Sequence, residues 1–269
     1  MSMNKRGNRN LLSLIVVVLI AVFGYYRNQT SGGGGGGLGG VSCTDEFRAG
    51  QPTSTVAGTR LLCRNEYVSV YDPARKVPLV VAEHLSKAEL AGNVARTDNF
   101  QPDPELSSGQ RAELADYQAS GYDRGHMAPA ADFQAGLTQM NQSFYLSNMV
   151  PQNPEMNRGV WAQLESSVRS CTSRQGDLYV LTGPVFGGRA RFIGPDRISV
   201  PNSLYKVVVS GNSARAFVLP NKTLPKTSNF SAYETTVDAL QAQTGLTFFP
   251  AGGVTTSSQG NFCSGNFGS

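Results

Sequence analysis

Histidine is scarce in this chain of 269 residues: there are two, His84 and His126, and one tryptophan. An imidazole base therefore has only two places to be. The four cysteines, Cys43, Cys63, Cys171 and Cys263, contain no C-x-x-C pair, which argues against a zinc site and for disulfides. No acidic residue precedes Asp45 and no internal repeat is evident. The order of strand-like and helix-like segments does not alternate as a parallel sheet requires.

The acid-free start changes the meaning of the formal charge of +4. Lys5, Arg6, Arg9 and Arg27 are four of the 23 basic residues, which leaves 19 positive against 19 negative charges in the remainder. The main domain is thus close to neutral, and any attraction to phosphate must come from local clustering. Arg189, Arg191 and Arg197 around Phe192 and Asp196 are candidates, although a solvated loop or hairpin accounts for them equally well.

The stretch 11–26 is almost wholly apolar, preceded by Lys5, Arg6 and Arg9 and followed by Arg27 alone. That asymmetry keeps the N-terminus in the cytoplasm and sends the rest across a membrane. A helix of this stretch is roughly 24 Å long, slightly short of the ~30 Å hydrocarbon core. Tyr25-Tyr26-Arg27-Asn28-Gln29 offers no small residues for leader cleavage, which favours a signal anchor over a cleaved, secreted form. Residues 31–40 hold eight glycines and read as a flexible tether. The expected organisation is a basic cytoplasmic segment (1–10), a transmembrane signal anchor (11–26), a glycine-rich linker (27–42) and one domain (43–269). That domain would face the extracytoplasmic side, the periplasm in a Gram-negative bacterium. Three disulfide pairings are possible. Cys43 with Cys63 closes a short loop and Cys171 with Cys263 pins the C-terminal tail, so these are preferred over the other pairings and over four buried thiols.

Within the domain, Tyr67-Val68-Ser69-Val70-Tyr71 alternates with period two and 77–82 is a short apolar run, so a hairpin is expected there. Further strands are expected at 178–181, 204–209 and 214–219, with a turn at Ser210-Gly211-Asn212. Asn153-Pro154 signals a helix start, after which Met156, Val160, Leu164 and Val168 form a core-facing stripe. A second helix is expected from the capping box at Ser231-Ala232-Tyr233-Glu234 to a stop at Gly245. The class is α+β, with a central antiparallel sheet flanked by helices.

On the first helix, Asn157, Trp161, Glu165 and Arg169 advance about 40° per step, so Asn157, Glu165 and Arg169 share a flank beside the buried stripe. A cleft lining and an ordinary surface ion pair both fit that pattern. His126 lies in the polar, turn-like run Tyr122-Asp123-Arg124-Gly125-His126, where Gly125 allows a sharp turn beside a ligand. His84 ends a strand-like run and reads as structural.

These residues carry a family resemblance. Asp123-Arg124-Gly125-His126 with Met127-Ala128-Pro129, then Ser147-Asn148-Met149-Val150-Pro151-Gln152, then Asn157-Arg158-Gly159-Val160-Trp161 with Leu164-Glu165 resemble the DNA/RNA non-specific endonucleases. That is the group of Serratia nuclease and mitochondrial endonuclease G, and the likeness extends over roughly residues 61–250. It implies a ββα-metal active site. His126 would be the general base, Asn157 the one direct protein ligand of Mg²⁺ (with Mn²⁺ able to substitute), and Glu165 the residue that orients water around the metal. Arg124 and Arg169 would flank the phosphate, and Asn148 would belong to the site. The implied reaction is hydrolysis of DNA and RNA to 5′-phosphate and 3′-hydroxyl ends. Dimers occur in that family, which leaves a homodimer open here. Two other readings stay open: a nucleic-acid-binding or uptake module on the same fold, and a phosphodiesterase for small substrates.

Overall fold

The computed structural model describes residues 43–227 and 229–267, all within the compact unit Val41–Ser269. The expected basic segment, anchor and glycine linker lie outside the described residues.

The alternating segments become strands of one antiparallel sheet. In chain order these are β1 (Arg60–Cys63), β2 (Tyr67–Asp72), β3 (Val77–Leu85), β6 (Leu178–Val185), β9 (Ser203–Ser210), β10 (Ser213–Pro220) and β11 (Glu234–Thr235). They line up as β11-β10-β9-β6-β3-β2-β1, every neighbouring pair antiparallel. The β2–β3 turn is closed by Asp72, whose Oδ1 accepts from the amide of Ala74 at 2.9 Å. At the β9–β10 turn Gly211 takes a φ of +57°, which its missing side chain permits.

Residues two apart on a strand share a face, and this sheet buries both. One face presents Val81, Leu85, Val180, Leu204, Val208 and Phe217 to a core that includes Trp161, Leu164 and Met127. The other presents Val80, Ala82, Leu181, Val207 and Ala216 to Leu240 and Phe248. Cys43 is paired with Cys63 and Cys171 with Cys263, the expected arrangement, so the sheet edge and the C-terminal tail are both fixed.

The long helix starts where Asn153-Pro154 signals it. Asn153 Oδ1 accepts from the Met156 amide at 3.0 Å, and Pro154 sits in the first turn. It does not continue as one regular helix. Pro154–Met156 is followed by a π-helical turn, Asn157–Trp161, kinked at Gly159 (φ −109°, ψ −109°), and only then by the α-helix Ala162–Gln175, here α3. Among the short helices that precede it are α1 (Leu114–Tyr117) and α2 (Leu137–Ser143). The last helix, α4, spans Val237–Thr244. Its cap is Thr236, whose hydroxyl accepts from Ala239 at 3.2 Å. The expected capping box at Ser231 instead precedes the short strand β11, because Ser231 donates to Asn229 rather than capping a helix. Gly245, at φ +71°, ends α4 as expected.

The turn-like reading of Asp123-Arg124-Gly125-His126 is corrected: these four residues are a strand, β4 (Asp123–His126), paired antiparallel with β5 (Met149–Gln152). Gly125 is needed for close approach. A Cβ there would lie 2.1 Å from Oε1 and 2.5 Å from Cβ of Gln152, a fully buried neighbour. Gly125→Ala should therefore push β4 from β5 and cost about 1–3 kcal/mol, the usual range for overpacking. Urea unfolding reads this directly, and an unchanged midpoint would show that the pair yields without strain.

Candidate active site

His126 is the last residue of β4, and the loop after it is held from below. Asn148 Oδ1 accepts from the Ala128 amide at 3.0 Å, while its Nδ2 donates to the carbonyls of Ala128 and Ser143, both at 2.8 Å. Its backbone carbonyl also accepts from Met127 at 2.9 Å. Fully buried, Asn148 fixes the chain leaving His126 and does not line the cleft.

The imidazole itself is 9% exposed. Phe100 and Phe144 meet it edge-on, with ring centroids 5.6 and 5.1 Å away, and Nε2 has no hydrogen-bond partner. Two guanidiniums cover the aromatic rings, Arg124 at 3.9 Å from the Phe100 centroid and Arg96 at 4.8 Å from that of Phe144. Burial among the rings, then the charges of Arg96 and Arg124, push the imidazole pKa down to about 3. His126 is neutral at physiological pH. His84 is elsewhere, stacked on Tyr179 and beside Asp177.

A cleft of about 380 Å³ opens over His126, and Arg96, Arg124, Asn157 and Glu165 line it. The π-helical turn explains how Asn157 and Glu165 come together. In a regular helix, eight residues leave two side chains about 80° apart, whereas one extra residue per turn removes about 100° and brings them within ~20°. Asn157 is held further by its neighbours. Its Nδ2 donates to Asp123 Oδ2 at 2.9 Å, and Arg158 closes the other side of that carboxylate at 2.8 and 2.5 Å. With the amide nitrogen committed to a carboxylate, Asn157 Oδ1 is the oxygen left over. A hard cation accepts such a neutral oxygen and fills its shell with water. Among the described residues no three His, Cys, Asp or Glu side chains form a chelating group.

Arg169 does not take the expected place beside this cleft. It is not among the residues that line the cleft and donates instead to Asp132 Oδ1 at 2.8 Å. Trp161 is fully buried in the core. Beneath Glu165 and Arg169 the sheet contributes a polar row, Glu83 on β3, Thr182 on β6 and Lys206 on β9, all 1–2% exposed. Lys206 pairs in register with Thr182 and donates to its hydroxyl at 2.7 Å. Burial raises the Glu165 carboxyl to about 7, opposed by Lys206 and Arg169. Burial and Asp132 raise Glu83 well above the usual carboxylate range, again opposed by Lys206.

Sequence reasoning missed Arg96, Phe100, Phe144, Lys206 and the Asp123–Arg158 clamp. Arg96 and Phe100 sit in a segment without regular structure, and only the fold brings them to His126.

A family model for DNA/RNA non-specific endonucleases matches residues 47–253, and the chain belongs to that family. It is 36% identical to the mitochondrial nuclease EXOG of Mus musculus over 72% of this chain and 58% of that protein. It is 33% identical to the mitochondrial endonuclease G of Homo sapiens over 71% and 70%. A solved chain from the EndoG/EndoGI complex superposes with a TM-score of 0.67 at 31% identity, over 71% of this chain and 86% of that one. The chain thus spans a little over half the length of the EXOG relative. The expected membrane-anchored, extracytoplasmic placement is corrected by these findings. EXOG of mouse and the nuclease of Saccharomyces cerevisiae, 36% identical, are mitochondrial, and among the described residues no helix is long and apolar enough to cross a membrane. The physical reason is that a basic, acid-free N-terminus is common to export signals and to organelle-directed leaders, so its charge does not fix the destination.

Lys206 is the sheet-borne cation beside two buried carboxyls, Glu83 and Asp132, and the half-buried Glu165. Lys206→Met should destabilise the protein by about 3 kcal/mol, the scale of an uncompensated buried charge, and adding Glu83→Gln should restore part of the loss. A double-mutant cycle by urea unfolding checks this, and strict additivity would dissolve the cluster.

Proposed function

We propose that residues 43–269 form a metal-dependent, sugar-non-specific endonuclease that hydrolyses phosphodiester bonds of DNA and RNA to 5′-phosphate and 3′-hydroxyl ends. The observation that carries this reading is a neutral imidazole, with no hydrogen-bond partner at Nε2, in the same cleft as two guanidiniums and the amide oxygen of Asn157. β4, β5 and the helix bearing Asn157 would form the ββα-metal unit, with Asn157 Oδ1 as the one protein ligand of Mg²⁺ or Mn²⁺. When bound, that ion neutralises the phosphate and stabilises the leaving oxygen.

The remaining work falls to side chains. His126 accepts a proton from the attacking water, which its neutral state allows. Arg124 and Arg96 face the cleft and offset charge that grows on the phosphate oxygens in the five-coordinate transition state, each worth about 2–4 kcal/mol by comparison with oxyanion-hole donors. Glu165, with a pKa near neutrality, orients water by hydrogen bonding. Arg169 acts through Asp132 and Glu165 instead of on the phosphate, and Asn148 holds the loop that carries His126. None of these groups reads a base edge, so little sequence preference and strong salt dependence are expected.

Supercoiled plasmid and RNA incubated with the protein in Mg²⁺ and in EDTA test the reading. Both polymers should be degraded only with Mg²⁺. His126→Ala should abolish turnover while retaining binding, and Asn157→Ala should need far more Mg²⁺. Retarded but intact polymer with the wild-type protein would favour the binding module, and cleavage of bis(p-nitrophenyl) phosphate alone would favour a small-substrate enzyme.

The pH profile follows from the charges around His126. In the free protein the imidazole takes up a proton only near pH 3, so with Glu165→Gln, which removes the carboxyl that titrates near 7, kcat/KM should hold its value on the acid side to well below pH 6. A bound phosphodiester cancels the positive charge of Arg96 and Arg124, raises the imidazole pKa and strengthens it as a base. The acid limb of kcat should therefore lie at higher pH than that of kcat/KM, and coincident limbs would remove the arginines from this role.

A further inference from the structure

The sequence cluster Arg189, Arg191, Phe192 and Arg197 has no part in the reaction, yet the fold builds it beside the cleft. Two short strands, β7 (Phe192–Ile193) and β8 (Ile198–Ser199), form a hairpin. It is fixed on several sides. Ser199 donates to the Arg75 carbonyl at 3.1 Å, the Asp196 amide to Asp116 Oδ1 at 2.9 Å, and Gly194 lies so close to Asp116 that a Cβ would meet its Cα at 2.3 Å. On this rigid support Phe192 is 43% exposed and the Arg197 guanidinium lies 4.2 Å above its ring. Arg189 and Arg191 are exposed as well.

The hairpin connects with the active site through a second cleft of about 450 Å³, lined by Leu114, Tyr117, Gln118, Tyr122, Asp123 and Arg124. Asp123 and Arg124 line both clefts. Arg191 closes the connection, donating to the Tyr122 hydroxyl at 3.3 Å and to the Pro201 carbonyl at 3.0 Å. From Arg124 outward the surface thus offers an aromatic and aliphatic cleft, then a guanidinium, then an exposed aromatic ring with a second guanidinium. Alternating rings and cations are the features that bind unpaired nucleotides, since every base has a face to stack and every linkage a charge.

We propose that the second cleft and the β7–β8 hairpin form a docking surface for the single-stranded flank of a nucleic-acid substrate, with a base in the cleft, another on Phe192 and phosphates at Arg191 and Arg197. The inference rests on the nuclease reading above and specifies what that active site holds next to the scissile linkage. In a nearly neutral domain this hairpin carries three exposed arginines, Arg189, Arg191 and Arg197, against one acid, Asp196, and that local positive charge is complementary to a polyanion.

The test uses the full chain with two sets of substitutions. Arg191→Ser with Phe192→Ser and Arg197→Gly removes the surface, and glycine suits the φ of +59° at position 197. Because Arg191 also braces the hairpin, Arg189→Glu with Phe192→Ser, both at exposed positions, serves as the second variant, and thermal melting confirms that each is folded. Binding of a labelled single strand of about 20 nucleotides is read by fluorescence anisotropy in EDTA, and cleavage in Mg²⁺. The first variant should bind about ten-fold more weakly, with a log–log salt slope flatter by about 1.4, two phosphate contacts at ~0.7 each. The second variant should also lose affinity. In Mg²⁺ the loss should appear in KM more than kcat, with hydrolysis of bis(p-nitrophenyl) phosphate within about two-fold of wild type, since that substrate is too short to reach the hairpin. Unchanged affinity and salt slope in both variants would overturn the proposal, and so would an equal loss on a blunt duplex, whose bases are not free to stack. Wild-type protein that cleaves neither polymer would instead refute the nuclease reading, which the anisotropy measurement reports separately.

Discussion

The candidate active site depends on a desolvated imidazole held neutral by its surroundings. Phe100 and Phe144 strip water from His126, and Arg96 and Arg124 add charge that a second cation would have to oppose. Rings and guanidiniums act in the same direction, because burial and a like charge both penalise the imidazolium. The same arrangement responds to an anion. A phosphate between the guanidiniums would remove one of the two penalties, so the base proposed at His126 would gain strength with substrate bound and stay unprotonated without it. That coupling requires the rings, the strand and the loop to keep their places, which accounts for the amount of buried hydrogen bonding spent on Asn148.

A second constraint sits below the first. The helix bearing Asn157 and Glu165 must present both to the cleft while burying Trp161, Leu164 and Val168 against the sheet. A regular helix does not meet both demands, and the π-helical turn at Asn157–Trp161 reconciles them. Glu165 then lies over a sheet that carries Glu83, Thr182 and Lys206 where apolar residues would be expected. Replacing such a row with apolar side chains is often neutral or stabilising in proteins at large. Its presence here is better explained by electrostatics, since Lys206 and Arg169 restrain the rise in the Glu165 pKa that burial alone would cause.

Much of the fold was legible because it follows simple periods. Tyr67–Asp72, Val77–Leu85, Ser203–Ser210 and Ser213–Pro220 have the branched and aromatic residues of buried strands, and Asn153-Pro154 marks a helix start in its own sequence. The misread elements lack such a local signal. Asp123–His126 is polar and glycine-containing, and becomes a strand only through its pairing with Met149–Gln152, 23 residues further on at the closest pair, His126 opposite Met149. Ser231 resembles a cap, but the helix starts at Thr236, which competes with it five residues later and has the better-placed hydroxyl. Of the site, His126, Arg124, Asn157 and Glu165 were found in the chain and meet in one cleft. Arg169 is absent from the lining of that cleft, because it pairs with Asp132, a partner 37 residues away in the chain that no helical period reveals. Arg96 and Phe100 left no trace, since an arginine and a phenylalanine in an irregular segment become a lid on an imidazole only when distant strands close over them.

The charge balance gives the site its economy. A domain with equal numbers of acidic and basic residues exerts little long-range pull on a polyanion, and at physiological salt such attraction fades over about 8 Å in any case. Placement then decides where phosphate binds. Many acids are consumed by nearby bases, as in Arg64 with Asp103, Arg158 with Asp123, and Arg169 with Asp132. These pairs do structural work and neutralise themselves. Arg124, by contrast, spends its charge over an aromatic ring, where it keeps a face free for an anion. An arginine stacked on a ring and lining the His126 cleft is thus the feature on which the proposed phosphate contact rests, and Arg197 over Phe192 repeats the stacking at the hairpin.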